Sequence, residues 1–433
     1  MHILLVSSRP KSHSANLGGD LMEALQQGGH TVDFLSHQWL DTSATLSLKE
    51  KFWKRWQRKK NKFNAKILKF KRCFYKYPLV VSADITLTNL DERAPLIDTK
   101  EVLSQIKRKY DLVITLFWEG MITSRTLKGL YEKLSCPILI YAVDMAPITG
   151  GCFYFMHCSN YQSSCGKCPI YGGMCEEDQT RCNWLYKKGV FNSVPCYFVG
   201  NNWMLSHAQK SNLFAIDRLK YALMPVNERL FTSMNVNEAR QTLNIGKNKR
   251  FVIFAGAAVI LERRKGFNEL IQAVKIFSNT LSKEGREQTT LIFAGNINND
   301  LQDYFDIEVV QTGFIPTDKL IAAYSAASVF LSPSLGDAGP TMVNQSIMCG
   351  TPVVAFSTGI ALDVIEQGVS GYVAKMGDVE DFARGIRQIY DIIDSDKYRQ
   401  LRESTRRVAE DKCSIKAVSL QIDAIIKEQF SLK

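Results

Sequence analysis

The chain opens with a short apolar run, HILLVS, and after the amphipathic stretch DLMEALQQGGH it resumes with TVDFLS. Continuous apolar runs of this length, separated by segments with apolar residues at helical spacing, predict strands buried on both faces alternating with covering helices. The rhythm continues through DLVITLF, a helix near SRTLKGLYEKL, and PILIYAVD. A second series reads RFVIFAG, a helix at FNELIQAVKIFSNTL, TLIFAG, EVVQTG, a helix at KLIAAYSAA, VFLSPS, a helix following Gln345, and PVVAF. Such alternation means parallel βαβ units, and 433 residues exceed what one hydrophobic core supports. The expected fold class is α/β: two doubly wound domains in series, facing across a cleft at the carboxyl ends of their strands.

The join is expected around MPVNERLF, where the strand LKYALMPV ends in polar residues. An N-terminal domain over 1–228 then carries two insertions, a basic one at 47–77 and a cysteine-rich one at 150–184. A second domain follows over 229–411. The segment SIKAVSLQIDAIIKEQF predicts a final helix within 412–433, a candidate to return to the N-terminal domain.

Composition adds little to this, and charge adds one feature. An apolar fraction of 45% fits a folded protein. There is no uninterrupted apolar run of about 18 residues, and the start MHILLVSSRPK is too short for a secretory leader, so an intracellular chain is expected. The net charge is +11, but Lys49 to Lys76 alone holds thirteen Lys or Arg against one Glu, leaving 41 basic and 42 acidic residues elsewhere. With Trp53, Trp56, Phe63 and Phe70 interleaved, that segment suits an anionic membrane surface. Single-stranded nucleic acid could use the same ingredients, and a solvated basic insertion needs neither. The expected partner is the membrane, with no nucleic acid.

Candidate chemistry concentrates in LGDAGPTMVNQSIMCGTPVV, Leu335 to Val354. Gly336 and Gly339 permit close backbone approach to a ligand, and the amides from Ala338 to Val343, a stretch that includes the donor-side candidates Pro340, Thr341 and Met342, lead into a helix N-terminus, which favours anions. Asp337 could accept hydrogen bonds from sugar hydroxyls, and Gln345 could reach a ribose. Upstream, ERRKGF offers Arg264 as a planar fork and Lys265 as a point charge for a diphosphate. As a nucleotide sugar splits, charge gathers on the departing diphosphate, and fixed cations aimed there accelerate the step.

The stretch VFLSPSLGDAGPTMVNQSIMCGTPVVAFSTGIALDVIEQGVSGYVA resembles the signature region of retaining nucleotide-sugar glycosyltransferases of the two-Rossmann (GT-B) architecture, family four, with a glycogen-synthase-like C-terminal domain. RRKGFNELIQAV, TGFIPTDKLIAAYSAASVF and PVNERLF extend the match, and the N-terminal half resembles the family more loosely. The resemblance implies a hexosyltransferase building a bacterial surface polysaccharide or glycolipid on a lipid-linked or glycan acceptor, cytoplasmic and peripheral at the inner membrane face. It implies Lys265 at the diphosphate and Phe314 and Gly256 at the donor. It also implies that no metal is required for catalysis, so the paired carboxylates of a glycosidase are not sought. Family members usually carry glutamates where this chain has Asp337 and Gln345, an arginine in the glycine loop where it has Ala257 and Ala258, and a histidine where it has Val143. Arg263 or Arg264 is expected to supply the missing cation. Asp144 and His13 are acceptor-side candidates, Asp144 being equally suited to capping. A weakened relative acting as a membrane-associated sugar-binding or scaffold protein is the main alternative; a nucleotide-sugar epimerase or a phosphorylase leaves the basic insertion unexplained.

Six of the eleven cysteines lie between Cys152 and Cys182. In an intracellular chain this density favours metal over disulfides. Cys165 and Cys168 form a C-x-x-C pair that Cys152 and Cys158 could complete as a structural zinc site, with Cys175, Cys182 and His157 as rival ligands and free buried thiols as the other reading. Related bacterial enzymes carry a similar cysteine insertion after the fourth strand.

Overall fold

The structure is a computed structural model, described here for residues 1–36, 90–257, 262–295 and 300–430, with the side chains of residues 13–15 also excluded. The basic insertion expected at 47–77 lies outside the described residues, as does Ala258.

Two compact units emerge, each built on a six-stranded parallel sheet. Unit 1 comprises Met1–Gly200, Met204–Ala222 and Ile425–Lys433, and unit 2 Asn201–Trp203 and Leu223–Ala424. In unit 1, β1 (His2–Ser7), β2 (Thr31–Ser36), β3 (Leu112–Thr115), β4 (Ile138–Tyr141), β5 (Cys196–Gly200) and β6 (Leu219–Tyr221) lie in the order β2-β1-β3-β4-β5-β6. Helices α1 (His13–Gln27), α2 (Ser124–Leu134) and α3 (Gln179–Ser193) connect them. Every residue of β3 and β4 is buried, as continuous apolar runs require when helices cover both faces. Thr123 and Thr126 form a reciprocal capping box at the start of α2. Asp178 caps α3 through the N–H groups of Thr180 and Arg181.

Unit 2 orders β7 (Phe251–Gly256), β8 (Thr289–Ala294), β9 (Glu308–Gly313), β10 (Val329–Ser332), β11 (Val353–Phe356) and β12 (Gly371–Ala374) as β12-β11-β10-β7-β8-β9. Its helices include α4 (Phe267–Asn279), α5 (Thr341–Met348) and α6 (Val379–Ile392), and α7 (Ile415–Phe430) ends the chain's described part. Phe251, Ile253, Leu291, Phe293, Leu331 and Phe356 pack with Leu270, Phe277 and Phe382 from α4 and α6 into one core. Burying each such side chain contributes about 1.5–3 kcal/mol.

Three local expectations shift. The helix expected after Gln345 begins at Thr341 and contains it. LKYALMPV is strand only over Leu219–Tyr221, with Val226 bridging singly to Ser414. β5 and β12 were not anticipated; β12 begins on a glycine whose added Cβ would lie 2.0 Å from the Val353 carbonyl.

Candidate functional site

In unit 2 the order of the strands reverses between β10 and β7, the switch point where doubly wound sheets bind ligands. The turn Arg263–Lys265 follows β7 and the 335–340 loop follows β10, so the two meet at neighbouring strand ends. Backbone contacts stitch them together. The Leu335 N–H donates to the Arg264 carbonyl at 2.7 Å, and Gly266, at φ 69°, lets the backbone pass where a Cβ would sit 1.8 Å from the Pro333 carbonyl.

These contacts bring Arg264, Lys265 and Asp337 together. The Asp337 side chain is 5% exposed; its Oδ2 accepts from Arg264 Nη1 at 2.9 Å and from Lys265 Nζ. Glu262, a residue the sequence did not single out, pairs with Arg264 Nη2 at 2.6 Å. Arg263 turns away into a bidentate pair with Glu269 at 2.6 and 2.8 Å, leaving Arg264 as the arginine directed at this site. Two cations thus converge on one buried acid, an electrostatic arrangement that a diphosphate could enter in place of the carboxylate.

The remaining donor candidates divide by what holds them. Gly339 is exposed, and a Cβ there would meet nothing nearer than Ile360 at 4.0 Å, so the fold itself does not demand glycine. Pro340 is the residue before α5, and Thr341 and Met342 are its first two, all half-buried. Gly256 has a packing reason instead, since its Cβ would press within 2.3 Å of the Ala294 carbonyl. Gln345 is 3% exposed, and its Oε1 accepts from the Tyr324 hydroxyl at 3.0 Å. Burial holds the Tyr324 phenol well above its usual pKa, so it stays a donor. Phe314 stands directly after β9, 73% exposed.

Unit 1 carries the acceptor-side candidates and the cysteines. Asp144 is buried after β4 and its Oδ1 caps the Ala146 N–H at 2.8 Å. His13 begins α1, but its side chain lies outside the described residues. The cysteine loop rests on a lysine that the sequence reading missed. Lys187 is completely buried, donates to the Ala146 and Thr149 carbonyls at 2.6 and 2.7 Å, and lies 3.1 Å from Glu92 Oε1. The signal was its place on the apolar face of α3, three residues from Trp184 and from Val190.

Cys152, Cys158, Cys165 and Cys168 fall within electrostatic reach of one another, and burial raises the Cys152 thiol well above its usual pKa. The Gly150 N–H donates to Cys165 Sγ at 3.2 Å, and burial pushes that thiol up to about 12. Burial raises the Cys168 thiol as well, and the Tyr171 N–H donates to the Cys168 carbonyl at 2.9 Å. Among the described residues, however, no group of three or more His, Cys, Asp or Glu side chains is placed to hold a metal ion. As they stand, the four thiols are neighbours rather than a ligand set.

Comparison with known proteins agrees with the fold and with unit 2. Residues 235–408 match the family described as Glycosyl transferases group 1. The chain is 28% identical over 141 residues to a 2-deoxystreptamine glucosyltransferase of Streptomyces kanamyceticus, covering 30% of this chain and 34% of that protein. It is also 28% identical over 122 residues to a sulfoquinovosyl transferase of Arabidopsis thaliana, covering 27% of this chain and 24% of the relative. The matched stretches thus span less than half of these relatives. Among solved structures, a sucrose-phosphate synthase from Thermosynechococcus elongatus superposes with a TM-score of 0.64 at 16% identity, over 100% of this chain and 99% of that one. Anabaena HepE in complex with UDP-glucose gives 0.60 at 16%, over 99% and 100%. The architecture is GT-B, two Rossmann-like domains.

Proposed function

We propose that this chain, whose residues 235–408 carry a glycosyltransferase group 1 domain, transfers a hexose from a nucleotide-diphosphate donor, with retention, to a lipid-linked or glycan acceptor in bacterial surface glycan synthesis. The observation that carries this is the convergence of Arg264 and Lys265 on Asp337 at the switch point of unit 2. In the proposed reaction the bond from the sugar's anomeric carbon to the β-phosphate oxygen breaks. The acceptor hydroxyl oxygen bonds to the same face of that carbon, and its proton passes to a phosphate oxygen of the departing nucleoside diphosphate. Arg264 and Lys265 stabilise the charge that gathers there. Unit 1 holds the acceptor, and the basic aromatic insertion holds the protein to the anionic inner face of the membrane. No helix among the described residues is long and apolar enough to cross one.

The test is a panel of nucleotide sugars, headed by UDP-glucose because HepE is seen with it, read as saturable binding and slow donor hydrolysis, with Asp337→Ala alongside. Binding of no donor overturns the proposal. Deleting residues 49–76 is expected to abolish cosedimentation with anionic liposomes while donor binding persists; unchanged cosedimentation removes the membrane anchor.

A second reading, a weakened relative that binds sugar without turning it over well, is favoured by one contact. Gln345 is neutral and its amide oxygen is already taken by Tyr324, whereas a carboxylate would accept from a ribose more strongly. Donor binding without hydrolysis or transfer would select this reading. Structural zinc on Cys152, Cys158, Cys165 and Cys168 is also proposed, on the strength of their mutual proximity and the Gly150 N–H directed at Cys165 Sγ. It requires the thiols to draw together as thiolates around the ion. Elemental analysis of protein purified without added zinc is expected to show about one zinc per chain, and no bound metal refutes it.

A further inference from the structure

Asp337 has been assigned so far as a partner for sugar hydroxyls, yet here its carboxylate already has partners. It is nearly inaccessible, its Oδ2 taking hydrogen bonds from both Arg264 and Lys265. These are the two cations that a diphosphate needs. No other acid occurs between Leu335 and Met348, because Gln345 stands where a second one would be expected. The cations are also fixed from behind. Arg264 is tethered through its carbonyl to Leu335 and through Nη2 to Glu262, and Gly266 locks the turn against Pro333. The turn's backbone and the Arg264 guanidinium are thus held independently of the Asp337 carboxylate. The 337 backbone is packed closely too, because Gly359 passes so near that an added Cβ would lie 2.0 Å from the Asp337 carbonyl. A change of partner at this site is therefore a change in the acid's side chain.

We infer that Asp337 is an internal counter-anion: before a donor binds it holds the diphosphate position, and a bound diphosphate displaces its carboxylate, which then becomes available to the sugar. This rests on the proposed function and deepens it. Holding two half-buried cations side by side without an anion is costly, so the free protein supplies one of its own. A diphosphate brings two or more negative charges to the same place and repels a carboxylate held beside it. One acid therefore serves two successive partners. Its release couples phosphate binding to sugar recognition, so that a donor with its hexose regains a contact that the bare nucleoside diphosphate only displaces.

The measurement is titration calorimetry of the full chain with UDP, GDP and ADP, and with UDP-glucose, GDP-mannose and ADP-glucose, on wild type, Asp337→Asn and Asp337→Ser. Whichever nucleoside diphosphate wild type binds is expected to bind the Asn variant about five- to tenfold tighter, because the carboxylate shared by both cations is then gone and Glu262 engages Arg264 alone. The corresponding sugar nucleotide gains less, so the preference for donor over product falls. The matching nucleoside, which lacks phosphate, binds all three proteins alike. In a Lys265→Met background the Asn substitution is expected to tighten binding less. A nucleoside diphosphate affinity in both Asp337 variants that is unchanged or weaker than wild type, in protein that unfolds at the wild-type temperature, overturns the inference while leaving the proposed function standing. Binding of no nucleotide or nucleotide sugar by wild type overturns both. If the Asn variant fails to fold, the Ser variant alone decides.

Discussion

The two units each set a lysine against an acid, and they do so in opposite ways. In unit 1, Lys187 is sealed completely, its ammonium shared between two carbonyls and Glu92, and Glu92 in turn accepts from the N–H and hydroxyl of Ser124. All of its partners come from the chain itself. In unit 2, the Lys265 side chain keeps 19% of its exposure and faces a single carboxylate, that of Asp337. The first arrangement is complete without a ligand, which is how a loop is held in place. The second is closed only provisionally by Asp337, which is how a site is kept ready. Charge alone does not separate scaffold from site; the accessibility of the charge and the exchangeability of its partner do.

Breaking the sealed pair should cost most. Lys187→Met leaves Glu92 buried without its counter-ion and is expected to destabilise unit 1 by about 3–5 kcal/mol, read in denaturant unfolding; adding Glu92→Gln should recover part of that. A loss below about 1 kcal/mol would show that the pair is not the anchor assigned to it. Lys265→Met should do the reverse, lowering kcat/KM by about 10²–10³-fold while unfolding shifts by no more than about 1 kcal/mol. Equal losses in stability at the two lysines would erase the distinction between them. A finer contrast lies within unit 2. Gly359, at φ 53° and packed on the Asp337 carbonyl, should cost about 1–3 kcal/mol on change to Ala. Gly339→Ala should leave stability within about 0.5 kcal/mol and show its effect in donor affinity. Tyr324→Phe is expected to cost about 1 kcal/mol. By releasing the Gln345 amide it should alter the affinity for nucleosides more than for inorganic pyrophosphate.

Ten of the twelve parallel strands were legible, most plainly where burial on both faces writes an unbroken apolar run into the sequence, as in ILIY of β4 and LIFA of β8; β5 and β12 were not. Arg264, Lys265 and Asp337 were legible individually, from residue type and neighbouring glycines. Their mutual pairing was not, since it joins positions 72 and 73 residues apart and depends on β7 and β10 lying side by side. The same holds for Arg263, which sequence offers as a diphosphate cation and the fold gives to Glu269. Gln345 reads as a ligand residue until Tyr324, from a different helix, is seen to hold its oxygen. The cysteines show the opposite limit. Their density along the chain is conspicuous, yet density does not set the distances between sulfurs, and the loop is held by Asp178, which caps α3 and accepts from the Cys168 N–H at 2.8 Å.

Helix α7 has a consequence for how the protein is made. Its residues from Ile425 onward belong to unit 1, where Lys220 on β6 meets Glu428 at 2.8 Å and the Phe430 ring stands edge-on to Tyr197 on β5. Unit 1 is therefore completed by residues synthesised after most of unit 2. At about 5–20 residues per second the intervening 200 or so residues take roughly 10–40 s. Through that interval β5 and β6 wait for the residues that pack on them.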